Sequence, residues 1–453
     1  MALRSLLGLL AEDPSTEALV REGGRAFVSA ALRPYTVAAL ADCHERPTLV
    51  VVGDDRAARD MAADLRAWLA PRPVRYYPSR GVAYESHLTP PPHLVGLRVA
   101  ALDALLSAGP GEGDGAEGGD RPSGARAHPR EPPVVVVSAV ALSEKIPDPA
   151  LRPHSFTLTV GELLDLEECA DDLVAAGYER VDQVEERGQF AVRGGLLDIY
   201  PATEERAVRV DLFDEQIESL RWFSTFTQRS LGDASAVEIA PAAELAAEHR
   251  ELAEIAALEY RTSRPSPAPR SGPARPGTQP GASSSSAPDG GRDAPAHPER
   301  PDVAELLPVD RFRALLDLLP ASVELVVAAE EELAPTLSDH WSDVCAAFHD
   351  ADAHHLYVAP EAIDAALRAR ARTWLSALHS DQPIELRAQP VAPTARTLAE
   401  AEPELEKLVR SGYRTVVAFP RRGEGERAAY NLGRMQVQWL EEAGGGKEGE
   451  EAG

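Results

Sequence analysis

Apolar residues recur along this chain in short blocks, and the spacing inside each block sets the element it predicts. Thr48-Leu-Val-Val-Val52 is a continuous apolar run, the pattern of a strand buried on both faces. Asp54-Asp55 then caps a helix to about Leu69, with Ala58, Met61, Ala62, Leu65 and Leu69 on one face. Val74-Arg-Tyr-Tyr77 reads as a second strand, Leu94 to Leu106 as a second amphipathic helix, and Val134-Val-Val-Val137 as a third strand. Alternating strands and helices argue for a parallel sheet.

The pattern changes near residue 160. Glu162 to Ala176 predicts a helix with Leu166, Ala170 and Leu173 inward, stopped by Gly177. Four short strands follow, at Gln189–Arg193, Leu196–Tyr200, Ala207–Phe213 and Ile217–Phe223, separated by turn residues such as Gly194-Gly195 and Asp214-Glu215. Strands this close pair antiparallel, because parallel neighbours need a long crossover. A separate small α+β domain is therefore expected here.

Further on, α/β patterning resumes. Arg311 to Leu319 reads as helix, Val323 to Ala328 as strand, Glu361 to Leu378 as helix and Ile384-Glu-Leu386 as strand. Glu402–Ser411 (helix), Arg414–Phe419 (strand) and Glu424–Glu441 (helix) predict the beginning of another unit. Two stretches, about 109–133 and 263–302, are dominated by Gly, Pro, Ser and charged residues, with a Ser283-Ser-Ser-Ser286 run in the second. Neither carries enough apolar surface to offset the entropy of ordering, so both are expected to be disordered.

Charge narrows the function. A formal net charge of −27 over 453 residues argues against a surface that wraps nucleic acid by itself, since that needs clustered Lys and Arg. Cys43, Cys169 and Cys345 are scattered and fit no metal spacing, which suits a reducing compartment. The first residues lack a signal peptide's long apolar region, and no apolar run approaches a bilayer's thickness, so a cytoplasmic protein without membrane contact is expected.

The sharpest segment is Gly177-Tyr-Glu-Arg-Val-Asp-Gln-Val-Glu-Glu-Arg-Gly-Gln-Phe-Ala-Val-Arg-Gly-Gly-Leu-Leu-Asp-Ile-Tyr-Pro201. It is similar to the pattern Y-x-R, then R-G-x-F-x-V-R-G-x-x-D-I-F/Y-P, of domain 2 in the UvrB and Mfd families. Val208-Arg-Val-Asp-Leu-Phe-Asp-Glu215 and Gln228-Arg-Ser-Leu231 continue the match, and the latter favours Mfd. Upstream, Pro78-Ser-Arg-Gly-Val-Ala-Tyr-Glu85 and Leu94-Val-Gly-Leu-Arg98 resemble the Mfd counterpart of UvrB's first domain. The chain thus resembles the N-terminal, UvrB-like region of the bacterial transcription-repair coupling factors.

That resemblance implies an α/β, multi-domain fold: a degenerate helicase-like parallel domain split by a small antiparallel α+β insert, plus the start of a further α/β unit. The implied boundaries are 1–154 for the first domain, 155–245 for the insert, 246–262 for a connecting helix, 263–302 for a linker, 303–392 for a domain 1b-like α/β unit, 393–441 for a partial domain 3-like unit and 442–453 for an acidic tail. It also implies that the insert binds UvrA through Arg180, Arg193 and Phe190. The first arginine of UvrB's F-R-V-R is Ala191 here. Guanidinium forks suit a face that meets carboxylates. The alternation of Phe190 with Val192 equally predicts core packing for Phe190, and Gly194, Gly195 and Asp198 read as structural.

Catalytic signals are missing. The only Gly-Lys is Gly446-Lys447, followed by Glu448, so no G-x-x-x-x-G-K-[ST] phosphate loop occurs, and Val134–Val137 runs into Ser138-Ala139 rather than an acidic box. His349-Asp350, Asp352 and His354-His355 match no zinc spacing. No ATPase, cofactor or metal is expected. In the family RNA polymerase and DNA are met by C-terminal domains outside these residues. The expectation is therefore a UvrA-recruiting module for nucleotide excision repair, or alternatively the regulatory front of an ATP-dependent DNA translocase.

Overall fold

The computed structural model describes residues 3–84, 90–107, 131–245, 309–348, 353–378, 382–389, 398–432 and 437–438, apart from 13, 15 and 420. The expected 246–262 helix, the 263–302 linker, the 442–453 tail and nearly all of 109–133 lie outside the described residues.

Strands β1 (Gly24–Val28), β2 (Thr48–Val52), β3 (Val74–Tyr77) and β4 (Val134–Ser138) come first. β5 (Ile146–Pro147) and β6 (Phe156–Thr159) lead into β7 (Glu179–Arg180), β8 (Gln189–Arg193), β9 (Leu196–Ile199), β10 (Ala207–Phe213), β11 (Gln216–Phe223), β12 (Ser230–Ala234) and β13 (Ala236–Ile239). β14 (Phe312–Arg313), β15 (Glu324–Val327), β16 (Ala371–Ser376) and β17 (Glu385–Leu386) follow.

Seven of these strands form one parallel sheet in the order β17-β1-β16-β15-β2-β4-β3. Every residue of β2 and β4 is buried, as their unbroken apolar runs require of central strands. The pleat divides those runs between two cores: Val50 and Val52 pack with Leu65 and Leu69 on one face, Leu49 and Val51 with Leu102 and Leu105 on the other. The Asp55–Leu69 helix starts where expected, because the Asp54 carboxylate accepts the Ala57 amide at 2.7 Å.

The described residues from 309 to 389 share the large sheet with the first part of the chain. They supply β14 and three strands of the large sheet, with β15 between β16 and β2. Left alone, those parallel strands would expose both faces; within the sheet Leu325, Val326, Val327 and Leu375 are fully covered. Several expected elements also differ. Glu361–Leu378 is a helix at Pro360–Arg370 followed by β16, and Arg311–Leu319 is β14 and a short helix at Leu315–Leu318. Arg414–Phe419 is exposed irregular chain, since no strand among the described residues lies beside it to complete its backbone hydrogen bonds. Of the expected Glu424–Glu441 helix, the described residues show a helix at Arg422–Asn431.

The insert is a six-stranded sheet, β12-β11-β10-β9-β8-β7, antiparallel except at β7–β8, with β13 and β6 as a separate pair. It docks on the Pro92–Ser107 helix. Gly96 permits the approach, because a Cβ there would lie 2.6 Å from the Ala202 Cβ. Beside it is a buried clamp of two arginines and two glutamates. Arg98 Nη1 donates to Glu144 Oε2 at 2.5 Å and to the Pro78 carbonyl at 2.9 Å. Arg80 Nε donates to Glu244 Oε2 at 2.8 Å, and the Arg80 amide donates to Glu144 Oε2 at 2.9 Å. Burial pushes the Glu144 carboxyl up to about 7 against the pull of Arg98, while Arg80 and Arg98 hold that of Glu244 below its usual value even though it too is buried. No helix among the described residues is long and apolar enough to cross a membrane.

Candidate docking face

One helix covers the inner side of the insert sheet. It runs Leu166–Ala175, four residues later than its periodicity suggests, because Asp165 Oδ1 accepts the amides of Glu167 and Glu168 at 2.9 and 3.0 Å and caps it there. Cys169, Ala170 and Leu173 turn inward against Phe190, Leu197, Ile199, Val208 and Leu220. Gly177 ends the helix at φ 93°, and Tyr178 Oη then donates to the Ala240 carbonyl at 2.7 Å.

The outer side carries charge. Register places Ala191 opposite Asp198, Asp198 opposite Arg209, and Arg209 opposite Arg221. Arg209 grips Asp198 with a two-pronged fork at 2.7 and 2.8 Å, and its guanidinium lies 4.6 Å from the centre of the Phe223 ring. Asp198 on one side, and beyond it Asp211 with Ser219 and Arg221, compensate this part of the face. A small apolar cluster of Val184, Ala191, Ala207 and Phe223 lies within it.

Arg180 and Arg193, like Arg206 and Arg229 and unlike Arg209 and Arg221, have no carboxylate partner among the described residues. Arg193 Nε donates to the Asp182 carbonyl at 3.0 Å, which orients the side chain without cancelling its charge. Arg180 is exposed at the edge strand β7. The structure puts them on neighbouring strands, β7 beside β8, but on opposite sides of the sheet: Arg180 is in register with Phe190, and Arg193 shares the side of Ala191. Phe190, in register with Arg180, is 0% exposed on the inner side and offers no surface. Gly194 adopts φ +60° in the β8–β9 turn, and Asp198 is 6% exposed beneath Arg209, both structural positions. The paired arginines Arg209 and Arg221 were not singled out from sequence. Their signal was the alternation of charge at Arg209 and Asp211 along an otherwise apolar strand.

The large sheet presents its own candidate edge, the C-terminal ends of the strands, where ligands of open parallel sheets bind. β1 leads through Ser29–Leu32 directly into the Arg33–His44 helix, the place a phosphate loop would occupy. Arg33 is buried there against Glu331 and, at 3.2 Å, Glu332. Glu330 meets Arg25 at 2.8 Å, and Glu331 accepts the Ala377 amide at 3.2 Å after β16. Gly53, after β2, abuts Glu332. Three carboxylates at this edge disfavour a phosphate chain. No metal-capable group of His, Cys, Asp and Glu occurs among the described residues; His349, Asp350 and Asp352 lie outside them.

Residues 156–245 match the family described as UvrB interaction domain. Transcription-repair-coupling factors are similar over more of the chain. That of Bacillus subtilis (strain 168) is 28% identical over 49% of this chain and 17% of its own length. That of Mycobacterium bovis is 33% identical over 51% of this chain and 18% of its own length. That of Escherichia coli (strain K12) is 38% identical over 24% and 10%. The matched part of this chain thus spans less than a fifth of these relatives.

Proposed function

We propose that this chain, a relative of the transcription-repair-coupling factors over about half its length and carrying a UvrB interaction domain, recruits UvrA through the exposed β7–β8 edge of its insert sheet. The observation that carries the reading is the pair of exposed guanidinium groups, Arg180 and Arg193, that have no carboxylate partner among the described residues and lie at the edge of a sheet that matches the interaction domain. Arg209 and Arg221 are held by Asp198 and Asp211, whereas Arg180 and Arg193 are left to meet carboxylates of a partner. Phe190 supports the face from beneath and makes no contact with the partner. The large sheet acts as a scaffold without nucleotide chemistry, a role supported by the glutamates and Arg33 at its C-terminal edge. The chain works in the cytoplasm, and any contact with RNA polymerase or DNA belongs to other domains. Were it instead the front of a DNA translocase, the same face would serve the same recruitment.

The test is binding of purified UvrA to the wild-type chain and to the Arg180→Ala, Arg193→Ala double variant. Both arginines are exposed, so the fold should persist and binding should fall ~10- to 100-fold, as for loss of two charge-assisted contacts. Unchanged affinity in the folded double variant would move the site off this face.

A further inference from the structure

The joint between insert and sheet contains three buried polar atoms without a hydrogen-bond partner among the described residues: Tyr77 Oη, Arg98 Nη2 and Glu244 Oε1. They come from three places. Tyr77 ends β3, Arg98 is on the helix that carries the insert, and Glu244 is the insert's own last turn. Tyr77 is 1% exposed and the Arg98 side chain 3%. Glu244 Oε1 approaches Arg98 Nε only at 3.4 Å.

All three residues line one cavity of about 20 Å³, whose other lining residues include the apolar Val99 and Leu102. A water molecule needs roughly 10–15 Å³ and two to four polar partners. The space holds one. An anion would face Glu244, and a cation would face Arg98 and Arg152. A neutral molecule that both donates and accepts meets neither penalty.

We propose that a single structural water occupies this cavity, bound by Tyr77 Oη and Arg98 Nη2 and donating to Glu244 Oε1. Because Glu244 belongs to the insert and the other two to the sheet domain, the water is part of the joint that sets the orientation of the docking face. It completes the clamp of Arg80, Arg98, Glu144 and Glu244, whose charges balance but whose hydrogen bonds do not.

Two measurements on the full chain test this. The first is thermal unfolding of Tyr77→Phe. With water present the variant loses a hydrogen bond, and the melting temperature falls. In a dry cavity it sheds an orphaned buried hydroxyl, and the melting temperature rises or stays put, which overturns the proposal. The second is a crystal structure of the wild type at a resolution that places ordered water. Density for one water within hydrogen-bond distance of the three atoms is expected. An empty cavity there, or the three atoms paired directly with protein groups, overturns the proposal even if Tyr77→Phe is destabilised.

Discussion

Replacing Arg98 by methionine removes one cation from the clamp and leaves Glu144 and Glu244 to Arg80 alone. The Arg98 and Glu144 side chains are 3% and 6% exposed, so water does not compensate the loss. Deleting one partner of a buried ion pair costs about 3–5 kcal/mol, mostly the penalty of the charge left behind. For a body of this size that is a fall of roughly 10 °C in melting temperature. The loss should depend on pH with a definite sign. The Glu144 carboxyl already stands at about 7, and without Arg98 it rises further. Acidification neutralises it, so the deficit should shrink between about pH 8 and about pH 5.5. Chemical denaturation of wild type and variant at several pH values reads both quantities. The control is Arg410→Met, whose exposed partner is Glu406 one helical turn away, and which should change nothing measurable. A deficit under about 1 kcal/mol, or one that grows on acidification, would refute the clamp as a stabilising joint.

Three further outcomes follow from other parts of the molecule. His44 Nδ1 sits 2.7 Å from the buried Glu324 carboxylate, and that close contact, with the Val20 carbonyl on the other nitrogen, raises the imidazole above its usual value against the cost of burial. A raised folded value means the stabilisation is complete below about 6.5, the unfolded value, and is lost as pH rises through the folded one; wild type should lose its advantage over His44→Gln across that window in urea denaturation. Asp165→Ala removes the cap from the Leu166–Ala175 helix and should cost about 1 kcal/mol, read in the same assay; an unchanged midpoint would show that the two amides find other partners. Calorimetric titration with magnesium ATP should give no saturable heat, because Arg33 and the glutamates occupy the sheet edge; saturable binding would sink the scaffold reading.

Much of both domains is legible in local pattern. The unbroken runs at Thr48–Val52 and Val134–Val137 could only be central strands, and both lie in the middle of the large sheet. The close spacing of strands after Gln189 left antiparallel pairing as the only option, and β8 to β11 pair that way. Arg180 and Arg193 were identifiable because they stand in a recognisable motif, and their exposure agrees with polar residues at strand ends. Phe190 was ambiguous from sequence, because alternation says which residues share a side and not which side is covered.

Other features were decided by contacts between distant segments. β1 was hidden in Arg21-Glu-Gly-Gly-Arg-Ala-Phe27, a stretch with little apolar character; it is a strand because it pairs with β16, Gly24 opposite Thr373. Ala371–Ser376 continues the helical periodicity of Ile363 and Leu367 without a Gly or Pro to break it, yet it becomes β16 because β1 and β15 offer hydrogen-bonding edges on both sides. Arg414–Phe419 has strand composition and no such edge among the described residues, and stays irregular. The clamp at the insert's joint was equally invisible, although Arg80 and Arg98 stand in motifs that carry the family resemblance. Their partners Glu144 and Glu244 are remote in sequence, and only the folded chain brings four charges into one place where water cannot screen them. Local sequence determines which faces must be buried; which segments bury them is settled by pairing across the whole chain.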